Sequence, residues 1–371
     1  MNVSNYPKLE ISRENLKYNI AHFKSKLKPS TKLLVLLKAN GYGVGSVEVG
    51  RLIKRMGVDY VAVAFVNEGV ELRMAGINLP MMVLTWTREA VEEIVEYDME
   101  PGVTDMRSLQ LLHDYLAANG IHEYPVHIKV DTGMHRVGFM EEELPELLDY
   151  LHKDDYIKVK SIYSHLAGAD EECFDDFTLS QAELFERLSN IIAESLGYMP
   201  MRHLLNTAGI ERLAEKYPHY QYDMVRLGIG TYGLVTIPGE DVKPVVSLKT
   251  EVIQVKHLDP DDGTVGYSRK GKITRPSEIA TIPLGYADGI DRRLGNGAAR
   301  FMVNGKMVPT IGNICMDALM LDVTGVDVKA GDEVTIFGDS PRLEEISAIL
   351  GTIPYEVLVG ISSRVNRVVV K

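Results

Sequence analysis

The first 235 or so residues alternate between short apolar runs and longer segments in which apolar residues recur at helical spacing. Short apolar runs bounded by turn residues are typical of strands buried on both faces. Eight such runs predict strands at Leu33–Leu37, Tyr60–Phe65, Met81–Thr85, Gly102–Thr104, Val126–Val130, Val159–Ser164, His203–Leu205 and Met224–Ile229. The segments between them predict helices, the clearest being Arg51–Met56, Asn67–Met74, Ser108–Ala118, Glu141–His152, Leu179–Glu194 and Glu211–Lys216.

Eight strand–helix units in about 230 residues predict an α/β fold in which the strands close into a (β/α)8 barrel of the TIM type. The weakest of these strands is the fourth, because Glu100–Thr104 is short and contains Pro101 and Gly102. An open sheet of eight or nine strands is therefore the alternative architecture.

The pattern changes after about Gly239, where strand-like runs are separated by turn signals such as Asn304-Gly305. Arg342–Leu350 is the one helix predicted in this region. The remaining runs predict strands at Val245–Val255, Thr264–Gly266, Ser277–Ile282, Arg300–Val303, Lys306–Pro309, Ala318–Val323 and Glu333–Phe337, and a last strand that ends at Val370. We therefore predict a barrel domain at 1–240 and a mainly β domain at 241–371, with residues 1–11 as candidates for association with the β domain.

The composition limits the classes of partner that the protein is expected to bind. The chain has 371 residues and a net charge of −12, which opposes non-specific binding to nucleic acid or an anionic membrane and favours a small-molecule substrate. The N-terminus lacks the apolar core of a signal peptide, and no stretch is apolar enough to span a membrane, so we expect a cytoplasmic protein. The two cysteines indicate neither a disulfide framework nor a thiolate metal site, and no metal is expected.

Lys38 is the first candidate for chemistry. It ends a buried apolar strand and precedes the glycine-rich turn Ala39–Gly45, so it should lie at the carboxyl edge of the barrel, where such folds carry their active sites. Partial burial there would lower the pKa of the ammonium group, as a lysine that condenses with an aldehyde requires. The alternative is a lysine that merely extends from a strand end into solvent.

Polar residues follow four later strands as well. Asp131–Arg136 follows the fifth strand, His165 the sixth and Asn206-Thr207 the seventh, and Arg226 interrupts the eighth. Each could have a purely structural role; Arg226, for example, could pair with Asp223. Because all should lie at one end of the barrel, a shared pocket is the stronger hypothesis.

The stretch Leu37–Gly45 (LKANGYGVG) resembles the pyridoxal 5'-phosphate (PLP) lysine motif of alanine racemases. The resemblance continues in the same order through both predicted domains, at His127–Gly138, Ser164–Asp170, Asp223–Gly233, Val265–Tyr267, Pro283–Gly289, Ile314–Asp317 and Tyr355–Arg367. It implies a PLP-dependent alanine racemase that interconverts L-alanine and D-alanine and supplies D-alanine for peptidoglycan.

The resemblance also implies two bases. Lys38 would bind PLP covalently and serve one face of the substrate carbon, and Tyr267 would serve the opposite face. In this family the tyrosine comes from the partner subunit, so a homodimer with shared active sites is expected.

Other matched positions imply cofactor contacts. Arg226 would face the pyridine nitrogen, to which a guanidinium can donate a hydrogen bond but hardly a proton. His165 would pack on the ring, and Asn206 would belong to the same wall. The phosphate would be held by Tyr42, Thr207, Gly228, Ile229 and Tyr355.

The substrate side is implied in the same way. Arg136 and the backbone N–H of Met316 would bind the substrate, with Asp317 and Tyr286 in supporting positions. Lys129 matches a lysine that is often carbamylated in the family, a modification that would turn this cation into an anion.

Alternatives from other functional classes remain. One is a serine or broader-specificity racemase with the same bases and a changed pocket. Another is a non-catalytic PLP-binding protein, which would need neither the β domain nor Tyr267, and a third is a decarboxylase of the same fold, which would lack that tyrosine. The chain also departs from the usual family pattern, since Thr207 stands where a serine is common, a change that keeps the hydroxyl.

Overall fold

A computed structural model describes residues 7–237 and 239–371. In this part of the chain the strands are β1 Lys8–Ser12, β2 Lys32–Leu36, β3 Tyr60–Val63, β4 Met81–Val83, β5 Glu100–Val103, β6 Tyr124–Lys129, β7 Ile157–Tyr163, β8 Met201–His203, β9 Met224–Leu227, β10 Val246–Glu251, β11 Gln254–Leu258, β12 Thr264–Val265, β13 Gly271–Lys272, β14 Ser277–Ile282, β15 Arg300–Val303, β16 Lys306–Ile311, β17 Leu319–Asp322, β18 Glu333–Phe337 and β19 Asn366–Val370. The α-helices are α1 Arg13–Ser25, α2 Lys38–Tyr42, α3 Ser46–Ile53, α4 Val66–Met74, α5 Val91–Glu96, α6 Met106–Asn119, α7 Leu144–Leu151, α8 Asp175–Leu196, α9 Thr207–Leu213, α10 Leu343–Leu350 and α11 Pro354–Val359.

Strands β2 to β9 form a closed barrel in which every pair of neighbours is parallel. Closure comes from the pairing of β2 with β9, where Leu34 lies opposite Arg226. The (β/α)8 barrel predicted from the apolar runs is therefore confirmed, and the open-sheet alternative is wrong.

The doubtful fourth strand does form, and its glycine has a packing reason. β5 pairs with β4 on one side and with β6 on the other. A Cβ placed on Gly102 would lie 2.7 Å from the hydroxyl oxygen of Tyr163, so only glycine leaves room for that ring in the barrel interior. Gly102, one of the two residues that made this strand look weak, is therefore required by the packing of the barrel interior.

Several predicted boundaries are shifted. The helix predicted at Arg51–Met56 begins earlier, at Ser46, and the strand predicted at His203–Leu205 is Met201–His203. Apolar side chains continue into the buried loops beyond the ladders, because Leu204 and Leu205 are fully buried although they lie past the end of β8. Burial alone therefore does not mark where backbone pairing stops.

The second compact unit contains a nine-stranded sheet in the order β11-β14-β17-β16-β15-β18-β10-β1-β19. Within it β1 pairs antiparallel with β10 and parallel with β19, so Leu9 lies opposite both Leu248 and Arg367. These strand pairs include part of the segment 1–11, which was predicted to associate with the β domain. Residues 1–6 of that segment lie outside the described residues. The same unit also includes Tyr42–Glu48.

Two expectations for this unit are wrong. The single strand predicted at Val245–Val255 is two strands, β10 and β11, with the chain passing between them at Val252-Ile253. A second helix, α11, follows α10 and starts with Pro354 at its N-terminal turn. Six residues are too few to show a helical period, although a proline is favoured at a helix start.

None of the helices within the described ranges is both long enough and apolar enough to cross a membrane.

Candidate active site

The backbone after β2 forms an unusual turn that positions Lys38. Ala39, Asn40, Gly41 and Tyr42 all have left-handed φ angles, of 52°, 53°, 60° and 57°. Such angles are unfavourable for residues other than glycine and persist only where the surroundings enforce them. The carboxylate of Glu68 accepts hydrogen bonds from the backbone N–H groups of Ala39, at 2.6 Å, and of Ala64 and Phe65. Glu68 therefore ties the start of this turn to the next strand of the barrel.

Lys38 stands at the carboxyl end of β2 and is half-buried. Its amine makes no hydrogen bond or ion pair with another described residue. Burial and the nearby guanidinium of Arg136 lower the pKa of Lys38, and the Glu68 carboxylate only partly opposes them. The structure thus provides an amine that is easier to deprotonate than an ordinary lysine, as predicted from its strand-end position.

Arg226 is held by a set of oriented acceptors. Its side chain is buried, with the residue 4% exposed. One terminal nitrogen donates to the carbonyl oxygen of His203 at 2.9 Å and to Nδ1 of the same residue at 3.1 Å. The other donates to the carbonyl oxygens of Ser164 at 2.6 Å and Leu204 at 2.9 Å, and approaches Nδ1 of His165 at 3.3 Å. The Nε–H group has no acceptor among the described residues, so one donor of this buried side chain is left for a ligand.

The predicted ion pair between Arg226 and Asp223, the purely structural alternative, is wrong. The Asp223 carboxylate instead accepts a hydrogen bond from the backbone N–H of Arg202, at 2.7 Å.

The groups around Arg226 are shifted toward their neutral forms. Burial lowers the pKa of Arg226 to about 10, which still leaves the guanidinium protonated at neutral pH. Burial, followed by the charges of Arg226 and Lys129, lowers the pKa of His165 well below its usual value, so its ring is neutral. Burial and the guanidinium groups of Arg226 and Arg136 lower the pKa of Lys129 to about 8. Its ammonium group lies 5.3 Å from the ring centre of Tyr163.

The loops after β8 and β9 approach each other at the same end of the barrel. Asn206 caps α9, since its side-chain oxygen accepts from the N–H of Gly209 at 2.9 Å. The N–H of Gly228 donates to the hydroxyl oxygen of Thr207 at 3.0 Å. The Thr207 hydroxyl hydrogen and the N–H of Ile229 have no acceptor in the described part of the chain. They are free to bind an anion, whereas the Asn206 side chain and the Gly228 N–H are already used.

Tyr42 and Tyr355 lie together in the second compact unit, with ring centres 6.1 Å apart. Tyr42 is buried, and burial raises the pKa of its hydroxyl, so this phenol remains a protonated donor at neutral pH.

Four other predicted residues share one exposed surface of that unit. The N–H of Tyr286 donates to the carbonyl oxygen of Cys315 at 3.0 Å, next to Met316. The side chain of Asn313 donates to the carbonyl oxygen of Tyr267 at 3.1 Å. Tyr267 is 71% exposed and Met316 is 53% exposed. The fourth residue, Asp317, pairs with Arg364 at 2.7 Å.

The sequence analysis missed Glu68 and a set of polar residues inside the barrel. Glu68 lies on a helix that was interpreted as an ordinary amphipathic segment. The interior residues are Glu100, His127, Ser161 and His203, which are buried and hydrogen-bonded to one another. The available signal was a polar residue within each of several otherwise apolar strand runs.

Comparison with known families gives a match over nearly the whole chain. Residues 11–236 match the family described as "Alanine racemase, N-terminal domain", and residues 245–369 match "Alanine racemase, C-terminal domain".

Individual proteins to which this chain is similar are alanine racemases as well. Alanine racemase from Clostridium kluyveri is 38% identical over 374 residues, which cover 98% of this chain and 93% of that protein. The solved structure of alanine racemase from Clostridium difficile 630 superposes with a TM-score of 0.91 at 34% identity, covering 100% of this chain and 98% of that one. A second structure from that organism, a complex with cycloserine, has a TM-score of 0.86 at 33% identity and covers 98% and 95% of the two chains.

Proposed function

Since this chain belongs to the alanine racemase family, we propose that it interconverts L-alanine and D-alanine with PLP bound to Lys38, and that it supplies D-alanine for peptidoglycan. One observation carries the proposal. A lysine amine without a hydrogen-bond partner and a buried arginine that keeps one N–H free lie at the same end of the barrel.

The donors at this end fit the cofactor on which the family depends. The Lys38 amine suits the aldehyde carbon, and the free Nε–H of Arg226 suits the pyridine nitrogen. The Thr207 hydroxyl and the Ile229 N–H suit the phosphate, and the phenols of Tyr42 and Tyr355 are the further donors that the family resemblance assigns to it. The neutral ring of His165 is suited to packing on the pyridine ring. When bound, PLP withdraws electrons from the substrate α-carbon, so that its proton can leave.

Racemisation removes a proton from one face of the α-carbon and returns one to the other face. Lys38, with its lowered pKa, serves one face as the base. Tyr267 serves the opposite face. Its phenol is 71% exposed in the single chain and is therefore accessible to a partner subunit, whose site it is proposed to enter. The active assembly proposed here is therefore a homodimer.

Arg226 limits what happens to the substrate. With a pKa of about 10 it keeps its proton at neutral pH, so it donates a hydrogen bond without transferring a proton to the ring nitrogen. An arginine in this position would leave PLP a weaker electron acceptor than an acidic partner would.

Arg136 and Met316 bind the substrate carboxylate, with Asp317 and Tyr286 beside them. Lys129 is proposed to react with carbon dioxide: its neutral nitrogen attacks the carbon, a proton is released, and a carbamate anion forms. A pKa of about 8 makes the neutral amine accessible, and an anion near Arg136 and Arg226 would relieve the repulsion among three cationic groups. Carbon-13 NMR of the protein in labelled bicarbonate should show one carbamate signal that is absent from the Lys129→Met variant.

How strongly the enzyme selects alanine over other amino acids is a separate question. A serine or broader-specificity racemase would use the same bases, and a PLP-binding carrier would use only the lysine. We also propose a cytoplasmic location and a division into two domains at about residue 240.

The test is direct. Purified protein with PLP should convert L-alanine until the two enantiomers are equal, because they have equal free energies in water, with chiral chromatography as the assay. L-serine should react far more slowly, and cycloserine should inhibit. Cofactor absorbance without any D-alanine would support the carrier, and equal rates with L-serine would support the broader racemase.

A further inference from the structure

A line of buried hydrogen bonds crosses the barrel interior and ends at Arg226. Its members come from five consecutive strands: Glu100, His127, Ser161, His203 and Arg226 lie on β5, β6, β7, β8 and β9. Nε2 of His127 lies 2.9 Å from Glu100, and its Nδ1 lies 2.6 Å from the Ser161 hydroxyl. That hydroxyl lies 2.8 Å from Nε2 of His203, whose Nδ1 lies 3.1 Å from Arg226.

A β-bulge builds the outer end of this line. The register between β6 and β7 shifts between Val126 and His127, so that Val126 pairs with Val159 and His127 with Ser161, and Lys160 is the extra residue. Ser161 then reaches His127, while Lys160 donates to the second oxygen of Glu100 at 2.7 Å. The line therefore begins at a cation that is partly exposed and continues through fully buried groups.

The direction of the hydrogen atoms follows from the two ends. Arg226 can only donate, so Nδ1 of His203 must carry a lone pair, and its Nε2 must carry the hydrogen. That N–H donates to the Ser161 hydroxyl oxygen. The hydroxyl in turn can donate to Nδ1 of His127, whose Nε2–H then donates to Glu100.

The outer end favours the same direction. Burial would raise the pKa of Glu100, but hydrogen bonds from His127 and Lys160, and the positive charges that these two groups can carry, lower it below its usual value. The carboxylate is therefore ionised and can only accept. Two histidines and a serine, each able to point either way, lie between a group that only donates and a group that only accepts.

We propose that Glu100, His127 and Ser161 are positioning residues: they fix His203 as a neutral acceptor and thereby hold Arg226 in one orientation. Because the terminal nitrogens of Arg226 are then committed, its Nε–H is the donor presented to the ligand. This inference rests on the proposed function only for the identity of that ligand. The proton arrangement itself is a property of the chain.

The competing arrangement is specific. If His127 were an imidazolium ion, both of its nitrogens would donate, the Ser161 hydroxyl would accept from both histidines, and its own hydrogen would point elsewhere. Glu100 would then be a local ion-pair partner and would not orient Arg226.

Neutron diffraction from the perdeuterated full chain locates these hydrogens directly. The expected map shows one deuteron on each ring, at Nε2 of His127 and at Nε2 of His203, and the Ser161 deuteron pointing to His127. A second deuteron on His127, or a deuteron on Nδ1 of His203, would overturn the proposal. This result needs neither a variant nor catalytic activity.

Kinetics of variants test the consequence for Arg226. Ser161→Ala interrupts the line, and Glu100→Gln removes the group that sets its direction. Both should lower kcat at saturating PLP on the order of tenfold, as loss of an orienting partner behind a ligand-binding group usually does, with KM changed less than about twofold. Ser189→Ala is the matched control, because Ser189 is also fully buried but donates only within its own helix.

The positioning role and the proposed function can be refuted separately. Equal kcat values for Ser161→Ala and Ser189→Ala would overturn the positioning role even if the wild-type protein racemises alanine. Absence of racemisation by the wild-type protein would refute the proposed function and leave the neutron result to decide the proton arrangement.

Discussion

Replacing Arg226 with lysine keeps the positive charge and removes the planar fork, so it isolates what the fork contributes. Arg226 makes five contacts with acceptor atoms through its terminal nitrogens. A lysine ammonium has three N–H groups, so at least two of these contacts are lost. The carbonyl oxygen of His203 keeps a long hydrogen bond from the N–H of Ser164, at 3.4 Å. The carbonyl oxygens of Ser164 and Leu204 are therefore the acceptors that the substitution leaves with the fewest hydrogen bonds.

The magnitude follows from the number of acceptors left unsatisfied. A buried polar group without a partner destabilises by about 1–3 kcal/mol, so Arg226→Lys should lower the free energy of unfolding of the barrel by about 2–4 kcal/mol. In a protein of this size, whose unfolding entropy is roughly 0.8 kcal/mol/K, such a loss corresponds to a decrease of about 3–5 °C in melting temperature. Differential scanning calorimetry of the cofactor-free protein measures it.

The control is Arg187→Lys. Arg187 forms a two-point pair with Glu141 on the surface, and its side chain is half-exposed, so its fork should hardly affect the melting temperature. If Arg226→Lys melted with the wild type, the fork would not hold the ends of β7, β8 and β9 together. Our account of a rigid, oriented Arg226 would then be refuted.

Three further predictions concern the barrel. Lys38→Ala should abolish turnover, and borohydride should no longer attach the cofactor; label trapped on another lysine would contradict the assignment. The pKa of Lys129 is lowered from 10.5 to about 8, so the unfolded chain binds more protons between those pH values and the free energy of unfolding should rise with pH in that window. Urea unfolding without carbon dioxide should show a smaller rise in Lys129→Met; equal slopes would argue against the burial effect. Gly102→Ala should destabilise by about 1–3 kcal/mol through its clash with Tyr163, and Tyr163→Phe in the same chain should recover part of that loss; strictly additive effects would exclude the clash.

The fold was predictable because its signal is repeated. Apolar runs such as Leu33–Leu37 and Tyr60–Phe65 recur between segments of helical period, and a misplaced boundary in one unit does not change the count. Helix α11 was missed because six residues give no period. The division of Val245–Val255 into β10 and β11 was missed because neither glycine nor proline marks the bend at Val252-Ile253.

The site was predictable in part, for a different reason. Lys38 follows a buried strand and Arg226 interrupts another, and both features are visible in the sequence. The left-handed turn after Lys38 was not, since Ala39 and Tyr42 do not favour such angles and the turn depends on tertiary contacts such as that of Glu68.

The interior line escaped prediction because the pairing of its members depends on the register between strands. A one-residue bulge at Lys160 decides which side chains meet, and nothing local announces it.

The measurement that tests the central claim most directly is a subunit-mixing experiment. Lys38→Ala and Tyr267→Phe proteins should each be nearly inactive, because each lacks one of the two opposed bases. After random exchange of equal amounts, half of the dimers are mixed and about a quarter of all sites regain both bases, so about a quarter of the wild-type rate of D-alanine formation should return. If verified exchange restored no activity, the two bases could not come from different subunits, and the two-subunit racemase site proposed here would be contradicted.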